Sequence, residues 1–212
     1  MSETSTVFPL GKDVLSLNKS IPRQGAQLML SCLLASFFCL LCWVLALTAE
    51  GTAFLVLTQI LLILVYFGTL YGTIWQMGHE DQILVDINQM KYDKYRGFKI
   101  GLFALIPYAF FAVMLVFGKV LDIPVLAVAY RVLNPQYLHI FNALMEPGMS
   151  ADASSMFLSI ANVSFLSIFV VVILNFLLPL YAMVVYNLGY KKVSILHSIV
   201  YKNPDSKSKS SK

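Results

Sequence analysis

Charged residues are scarce in this chain. Only 12% of its 212 residues are Asp, Glu, Lys or Arg, whereas soluble domains usually carry about 25%. The charges also leave four stretches of membrane-span length with none at all: 24–49, 51–79, 100–118 and 153–190. A helix needs roughly 20 apolar residues to cross a hydrocarbon core about 30 Å thick. The pattern therefore predicts an all-α integral membrane protein, a bundle of four transmembrane helices.

Catalytic and redox signatures are also lacking. The chain contains no H-E-x-x-H, G-x-S-x-G, P-loop or G-x-G-x-x-G sequence. Its charge-free stretches hold no Asp, Glu, Lys or Arg of the kind that proton-coupled pumps need. The three cysteines, Cys32, Cys39 and Cys42, lie in the first stretch, where small apolar residues pack and no redox motif is expected. We therefore expect no enzymatic activity, no cofactor and no metal site.

The positions of the basic residues predict an orientation. Lys and Arg accumulate on the cytoplasmic side in short loops. If both termini are cytoplasmic, every Lys and Arg except Lys119 and Arg131 lies inside. This solution requires four crossings. The predicted spans are about 25–47, 53–76, 100–119 and 157–187.

Residues 1–200 are expected to form a single membrane-embedded domain, followed by a basic tail. The tail, 201–212, alternates Ser and Lys and is predicted to be disordered. Its lysines should attract anionic lipid headgroups. Because the basic residues flank apolar stretches, we expect the lipid bilayer rather than nucleic acid as the partner. The layout, with the junction 92–102, resembles small multi-pass membrane proteins of Gram-positive bacteria, and this implies the bacterial cytoplasmic membrane.

Two pairs of glycines have the G-x-x-x-G spacing that lets membrane helices approach closely. Gly68 and Gly72 lie in the second span, and Gly97 and Gly101 lie at the start of the third. Each pair can pack against a helix of the same chain, against a second copy or against another membrane subunit. Between these pairs, loop 78–99 has apolar residues at helical spacing, which predicts a separate amphipathic helix along the inner membrane face.

The segment 123–145 is too interrupted for a simple span. It contains Arg131, and a fifth crossing here would move the lysine-rich tail outside. An outer re-entrant or interfacial helical segment is therefore favoured over a fifth span. The candidate residues for a polar site in or beside it are Arg131, His139, Asn142, Asn162 and Asn175. Pro107 and Pro179 are predicted to kink the third and fourth spans.

Two functional hypotheses follow. The first is a non-enzymatic accessory or scaffold subunit that acts by helix association. The alternative is a transporter or permease component with a site near segment 123–145 and the two proline kinks. A polar cavity between spans three and four would favour transport. A solid bundle with an exposed Gly68–Gly72 face would favour association.

Overall fold

The computed structural model describes residues 20–46, 52–145, 150–151, 158–160 and 162–193. The basic tail, for which disorder and lipid binding were predicted, lies outside these residues. The all-α class is confirmed, with one pair of two-residue antiparallel strands, β1 (Ser150–Ala151) and β2 (Leu158–Ser159). The helices are α1 (Ile21–Ala46), α2 (Thr52–Asp86), α3 (Arg96–Ala104), α4 (Ile106–Val120), α5 (Pro124–Leu133), α6 (Leu138–Met145), α7 (Phe165–Leu174) and α8 (Leu177–Tyr190), with a 3₁₀ turn at Pro135–Tyr137 between α5 and α6.

Three helical segments among the described residues are long and apolar enough to cross a membrane: Ile21–Val44, Thr52–Asp86 and Phe165–Tyr190. The third segment comprises α7 and α8. A fourth candidate exists if α3 and α4, which are bent by 44° relative to each other, count as one span. Three to four apolar helices of this length are compatible with an integral membrane protein.

The second predicted span and the predicted inner loop helix form one continuous helix. α2 runs from Thr52 to Asp86 without a break, so the separate amphipathic helix in loop 78–99 was a wrong prediction. Gly78, the residue most able to interrupt it, is buried against α8 and stays helical. The helix instead ends before Asn88, which adopts a φ of 55°, a left-handed conformation that Asn tolerates better than most residues.

Both predicted kinks coincide with breaks in the helical hydrogen bonding. Pro107 lies in the first turn of α4, directly after the bend. α7 and α8 are separated at Asn175 and Phe176, whose N–H groups bond to residues three positions back. Pro179 has no N–H to donate to the Asn175 carbonyl, which accepts from Leu178 instead, at 3.1 Å.

The fourth span begins later than predicted. The helix starts at Phe165 rather than near residue 157, because the Ser164 side chain accepts a hydrogen bond from the Leu166 N–H at 3.2 Å and caps the helix. Leu158 and Ser159 belong to a strand instead.

The helices pack into two clusters. Helices α1, α2, α3 and α8 surround one buried apolar core, which includes Leu28, Cys32, Leu62 and Ile74. The thiol of Cys39 donates to the Leu62 carbonyl at 3.3 Å, so these cysteines pack between helices as expected. A second core joins α4, α5, α6 and α7.

Segment 123–145 forms two short helices joined by the 3₁₀ turn. At 1.5 Å per residue, α5 and α6 are only about 15 and 12 Å long, so neither is a span by itself. The turn is buried against α1 and α2. Ser36 of α1 donates to the Leu133 carbonyl at 3.3 Å, and Gln59 of α2 donates to the Gln136 carbonyl at 2.6 Å.

Candidate functional site

A buried ion pair joins the helices of the first core. The carboxylate of Asp81 accepts from Arg96 Nε at 2.7 Å, from the Tyr186 hydroxyl at 2.7 Å and from Gln24 Nε2 at 3.2 Å. Arg96 Nη2 in turn donates to Gln24 Oε1 at 3.0 Å. We call these four residues the Asp81 cluster.

Each member of the Asp81 cluster comes from a different helix: α1, α2, α3 and α8 supply Gln24, Asp81, Arg96 and Tyr186. Asp81 is 1% exposed and Arg96 is 9% exposed. Buried charges are tolerated when they are paired and hydrogen-bonded, and here one carboxylate accepts from three side chains. The cluster therefore holds the ends of four helices together through charge-assisted bonds.

Glycines bring α8 close enough for this arrangement. A Cβ atom at Gly78 would overlap the Tyr186 carbonyl oxygen, and one at Gly189 would overlap the Trp75 carbonyl oxygen. A Cβ at Gly97 would lie 2.6 Å from Tyr186 Cβ. Only glycine fits these positions, so the backbone of α8 approaches α2 and α3 directly and the Tyr186 hydroxyl reaches Asp81.

Asp81 and Arg96 were not predicted as site residues, because loop 78–99 was expected to lie along the inner membrane face. A usable signal existed. Leu70, Ile74 and Met77 are buried on one face of α2, and Asp81 continues that face at helical spacing. A charged residue that continues a buried stripe needs a partner of opposite charge, and Arg96 can be that partner for Asp81.

A second ion pair, between Lys99 and Asp93, is partly exposed, in contrast to the buried pair of Asp81 and Arg96. Lys99 Nζ lies 2.6 Å from Asp93 Oδ2, but the two side chains are 51% and 33% exposed. The hydrogen bond from Lys99 lowers the pKa of the Asp93 carboxyl below its ordinary value. Lys99 of this partly exposed pair lies only three residues from Arg96.

The two predicted G-x-x-x-G pairs differ in their surroundings. Gly97 and Gly101 pack against α8, where a Cβ at Gly101 would lie 2.6 Å from Pro179 Cα. Gly68 and Gly72 are exposed, and a Cβ at either position would have nothing within 4 Å among the described residues. Packing among the described residues therefore accounts for Gly97 and Gly101 but not for Gly68 and Gly72.

The predicted polar residues do not form one site. Arg131 places its guanidinium 4.7 Å from the centroid of the Phe141 ring, a cation–π distance. Asn175 is buried and donates to the Tyr130 hydroxyl at 2.7 Å. Asn162 is exposed in the turn before α7.

His139 and Asn142 do share a cavity. They line a cleft of about 1000 Å³ between the N-terminal half of α2 and α6, which Trp43 of α1 and Val170 of α7 also line. Gln59 also lines it, and its Oε1 accepts from the His139 backbone N–H at 3.1 Å. The polar cavity that would favour transport was one between spans three and four, whereas this cleft lies between α2 and α6. We call it the α2–α6 cleft.

Among the described residues, no group of three or more His, Cys, Asp or Glu side chains is placed to hold a metal ion. Comparisons of the chain with protein families, with characterised proteins and with solved structures find no match.

Proposed function

We propose that this protein is an integral membrane protein with four crossings and both termini in the cytoplasm, and that it acts as an accessory or scaffold subunit. It associates with another membrane helix, from a second copy or a different subunit, through the exposed Gly68–Gly72 face of α2. The bent α3–α4 pair is one of the crossings in this proposal, and the α7–α8 segment is the last.

The observation that supports association is that no described residue packs against Gly68 or Gly72. At each of the six other described glycines, positions 25, 78, 97, 101, 118 and 189, an added Cβ would lie 3.0 Å or less from a neighbouring atom. Glycine inside a helix costs about 1 kcal/mol relative to alanine. Lipid contact alone favours larger side chains, such as the exposed Leu57 and Leu64 on the same face. A closely approaching partner helix would compensate this cost.

The dimensions of α2 are consistent with the proposed placement. At 1.5 Å per residue the helix is about 53 Å long, and Asp81 lies about 44 Å from Thr52. A hydrocarbon core about 30 Å thick that begins near Thr52 ends well before Asp81. The Asp81 cluster then lies at the cytoplasmic interface. Segment 123–145 is re-entrant from the outer side, with its 3₁₀ turn buried in protein, as irregular backbone at membrane depth must be.

The proposed topology predicts on which side of the membrane a reporter domain fused at each position lies. Reporter domains fused after residues 50 and 148 should be external, and those fused after residues 88 and 212 should be internal, because this arrangement follows the positive-inside rule. Paired reporters, one active only outside and one only inside the cell, measure each position. An external reporter at residue 212 would contradict the four-crossing proposal and restore a fifth span through Arg131.

Association is tested by photo-crosslinking from the exposed face. A photoreactive amino acid at Leu64, one turn before Gly68, should crosslink to a protein partner in native membranes. Gly68→Ile should lower this yield about tenfold, the effect of losing roughly 1.4 kcal/mol. The monomer itself accommodates the new side chain, since nothing lies within 4 Å of the Cβ position at Gly68 among the described residues.

The matched control is Ala109→Ile, which places the same side chain at an exposed position on α4 and should leave the yield unchanged. Crosslinks to lipid alone, or equal yields from the two isoleucine variants, would refute association through this face.

The transport alternative has less support: the polar residues that it invoked are dispersed, with Asn175 buried against Tyr130 and Asn162 exposed.

A further inference from the structure

The third and fourth spans each pass from one buried core to the other close to their breaks. On the third span, Tyr108 of α4 still belongs to the first core, and the second core begins at Ala112, one turn later. On the fourth span, Val171 of α7 belongs to the second core and Leu178 of α8 to the first. Within the described ranges, α1 and α2 contribute buried residues to the first core alone. Each broken span therefore joins two separately packed units.

The two breaks lie opposite each other. Helices α3 and α8 run antiparallel, because Gly97 packs against Tyr186 and Gly101 packs against Pro179. Four residues further in the same direction, the third span reaches the α3–α4 break and the fourth span reaches the α7–α8 break. Pro107 and Pro179 lack the N–H that would close the helical hydrogen bonds there. Two opposed breaks in adjacent spans form a line about which both can bend, since residues at helix ends absorb hinge motions.

The α4–α7 unit, which consists of α4, α5, α6 and α7, is tied together beside this line. The Leu174 carbonyl lacks its helical donor, because the Leu178 N–H bonds to the Asn175 carbonyl. The Tyr137 hydroxyl donates to the Leu174 carbonyl instead, at 3.1 Å, and Asn175 Nδ2 donates to the Tyr130 hydroxyl at 2.7 Å. These bonds fasten α5 and the 3₁₀ turn to the end of α7, so the unit can move as one body.

A cleft and a row of hydrogen bonds separate this unit from α1 and α2. The α2–α6 cleft, of about 1000 Å³, lies between the two units. Beside it, Gln59 of α2 bonds to the Gln136 carbonyl and to the His139 N–H, and Ser36 of α1 bonds to the Leu133 carbonyl. We call these three bonds the polar seam. Each contributes little net stability, because water can replace it, whereas a close-packed core resists separation.

We propose that the α4–α7 unit is a hinged body that swings about the two opposed helix breaks and so opens and closes the α2–α6 cleft. The structure represents the closed form. In the open form the polar seam is broken while both cores stay packed, because packed cores move as wholes rather than deform continuously. The Gly68–Gly72 face lies on α2, outside the moving unit, so this inference does not depend on association.

The test measures distances across the cleft in the purified full chain in lipid nanodiscs. Val56→Cys and Ala143→Cys place spin labels on opposite walls, at exposed residues that line the cleft. Cys42→Ala removes a partly buried thiol that would compete for the label, whereas Cys32 and Cys39 are buried and stay. Double electron–electron resonance should then show two distances, and the shorter one should correspond to the closed form.

Two control pairs test whether each unit is rigid. Val113→Cys with Phe169→Cys labels α4 and α7 at exposed positions within the α4–α7 unit. Leu30→Cys with Leu180→Cys labels α1 and α8 around the first core. Both pairs should give one narrow distance. A single narrow distance across the cleft would overturn the proposal, and so would equally broad distributions for all three pairs, which would show general looseness instead of a hinge.

Variants of the polar seam test what holds the cleft closed. Gln59→Leu should raise the ratio of the longer to the shorter distance at least about fivefold, the effect of one net hydrogen bond. The matched control is Gln76→Leu on the same helix, where the amide is exposed and bonds to Glu80, and it should leave the ratio unchanged. Ser36→Ala should act in the same direction as Gln59→Leu and decides the outcome should that variant fail to fold. Unchanged ratios in both seam variants would overturn the assignment.

Discussion

Arg96→Met is expected to lower the free energy of unfolding by about 3–5 kcal/mol, because it removes one partner of a buried ion pair. Methionine keeps most of the side-chain volume but leaves the Asp81 carboxylate, which is 1% exposed, with Tyr186 and Gln24 as its remaining side-chain donors within the described ranges. The Gln24 Oε1 atom loses its guanidinium donor as well. Denaturant unfolding of the purified protein in detergent micelles measures the change.

The control is Lys99→Met, the same substitution type three residues away on the same helix. Its partner Asp93 is partly exposed, and exposed ion pairs contribute about 0–1 kcal/mol. Arg96→Lys provides a second comparison. It retains a positive charge but not the fork that contacts Asp81 and Gln24 together, so its stability should fall between the wild type and Arg96→Met.

A double-mutant cycle completes this test. Asp81→Leu combined with Arg96→Met removes both charges, and such replacements are often neutral relative to a buried pair. We therefore expect the double variant to be more stable than either single variant. Similar losses for Arg96→Met and Lys99→Met would show that the Asp81 cluster does not hold the helix ends together.

Gly78→Ala is expected to destabilise the protein by at least about 1–3 kcal/mol, the usual cost of overpacking. The added methyl group would meet the Tyr186 carbonyl oxygen, and a backbone atom of α8 cannot rotate away as a side-chain end can. Gly189→Ala should have a similar effect, because its methyl group would meet the Trp75 carbonyl oxygen on the other side of the same crossing. The same unfolding assay measures both.

Gly72→Ala is the matched control on the same helix. Nothing lies within 4 Å of its Cβ position among the described residues, so the monomer should be unchanged or stabilised by up to about 1 kcal/mol through helix propensity. Measurements at high detergent-to-protein ratios keep the chain monomeric. If Gly78→Ala were as stable as Gly72→Ala, the direct backbone contact between α2 and α8 would be contradicted.

Local sequence patterns predicted where helices form better than they predicted where one helix continues without a break. The charge-free stretches located the long apolar helices, and Pro107 and Pro179 located the two breaks, because both signals act within one or two helical turns. The continuity of α2 was not predicted, since its last turns are polar and look like a loop. Their helical structure depends on Gly78 packing against α8, a contact between residues more than 100 positions apart.

The candidate site was harder to predict for the same reason. Two predicted residues, His139 and Asn142, do line one cleft, while Arg131, Asn162 and Asn175 lie elsewhere. Asp81 and Arg96 were missed, because their burial depends on four helices that meet at one end of the bundle. Spacing within the chain could not show which G-x-x-x-G pair is packed, since both have the same letters at the same interval.

The sequence by itself determined that this chain is helical, strongly apolar and poor in charge, because hydrophobicity and charge are properties of each segment alone. Its helix breaks followed from proline for the same reason. Only the tertiary structure decided which charges are buried together, which glycines pack against a neighbouring helix and where a cleft remains. Those outcomes depend on the relative placement of distant helices, and packing of side chains against backbone sets that placement.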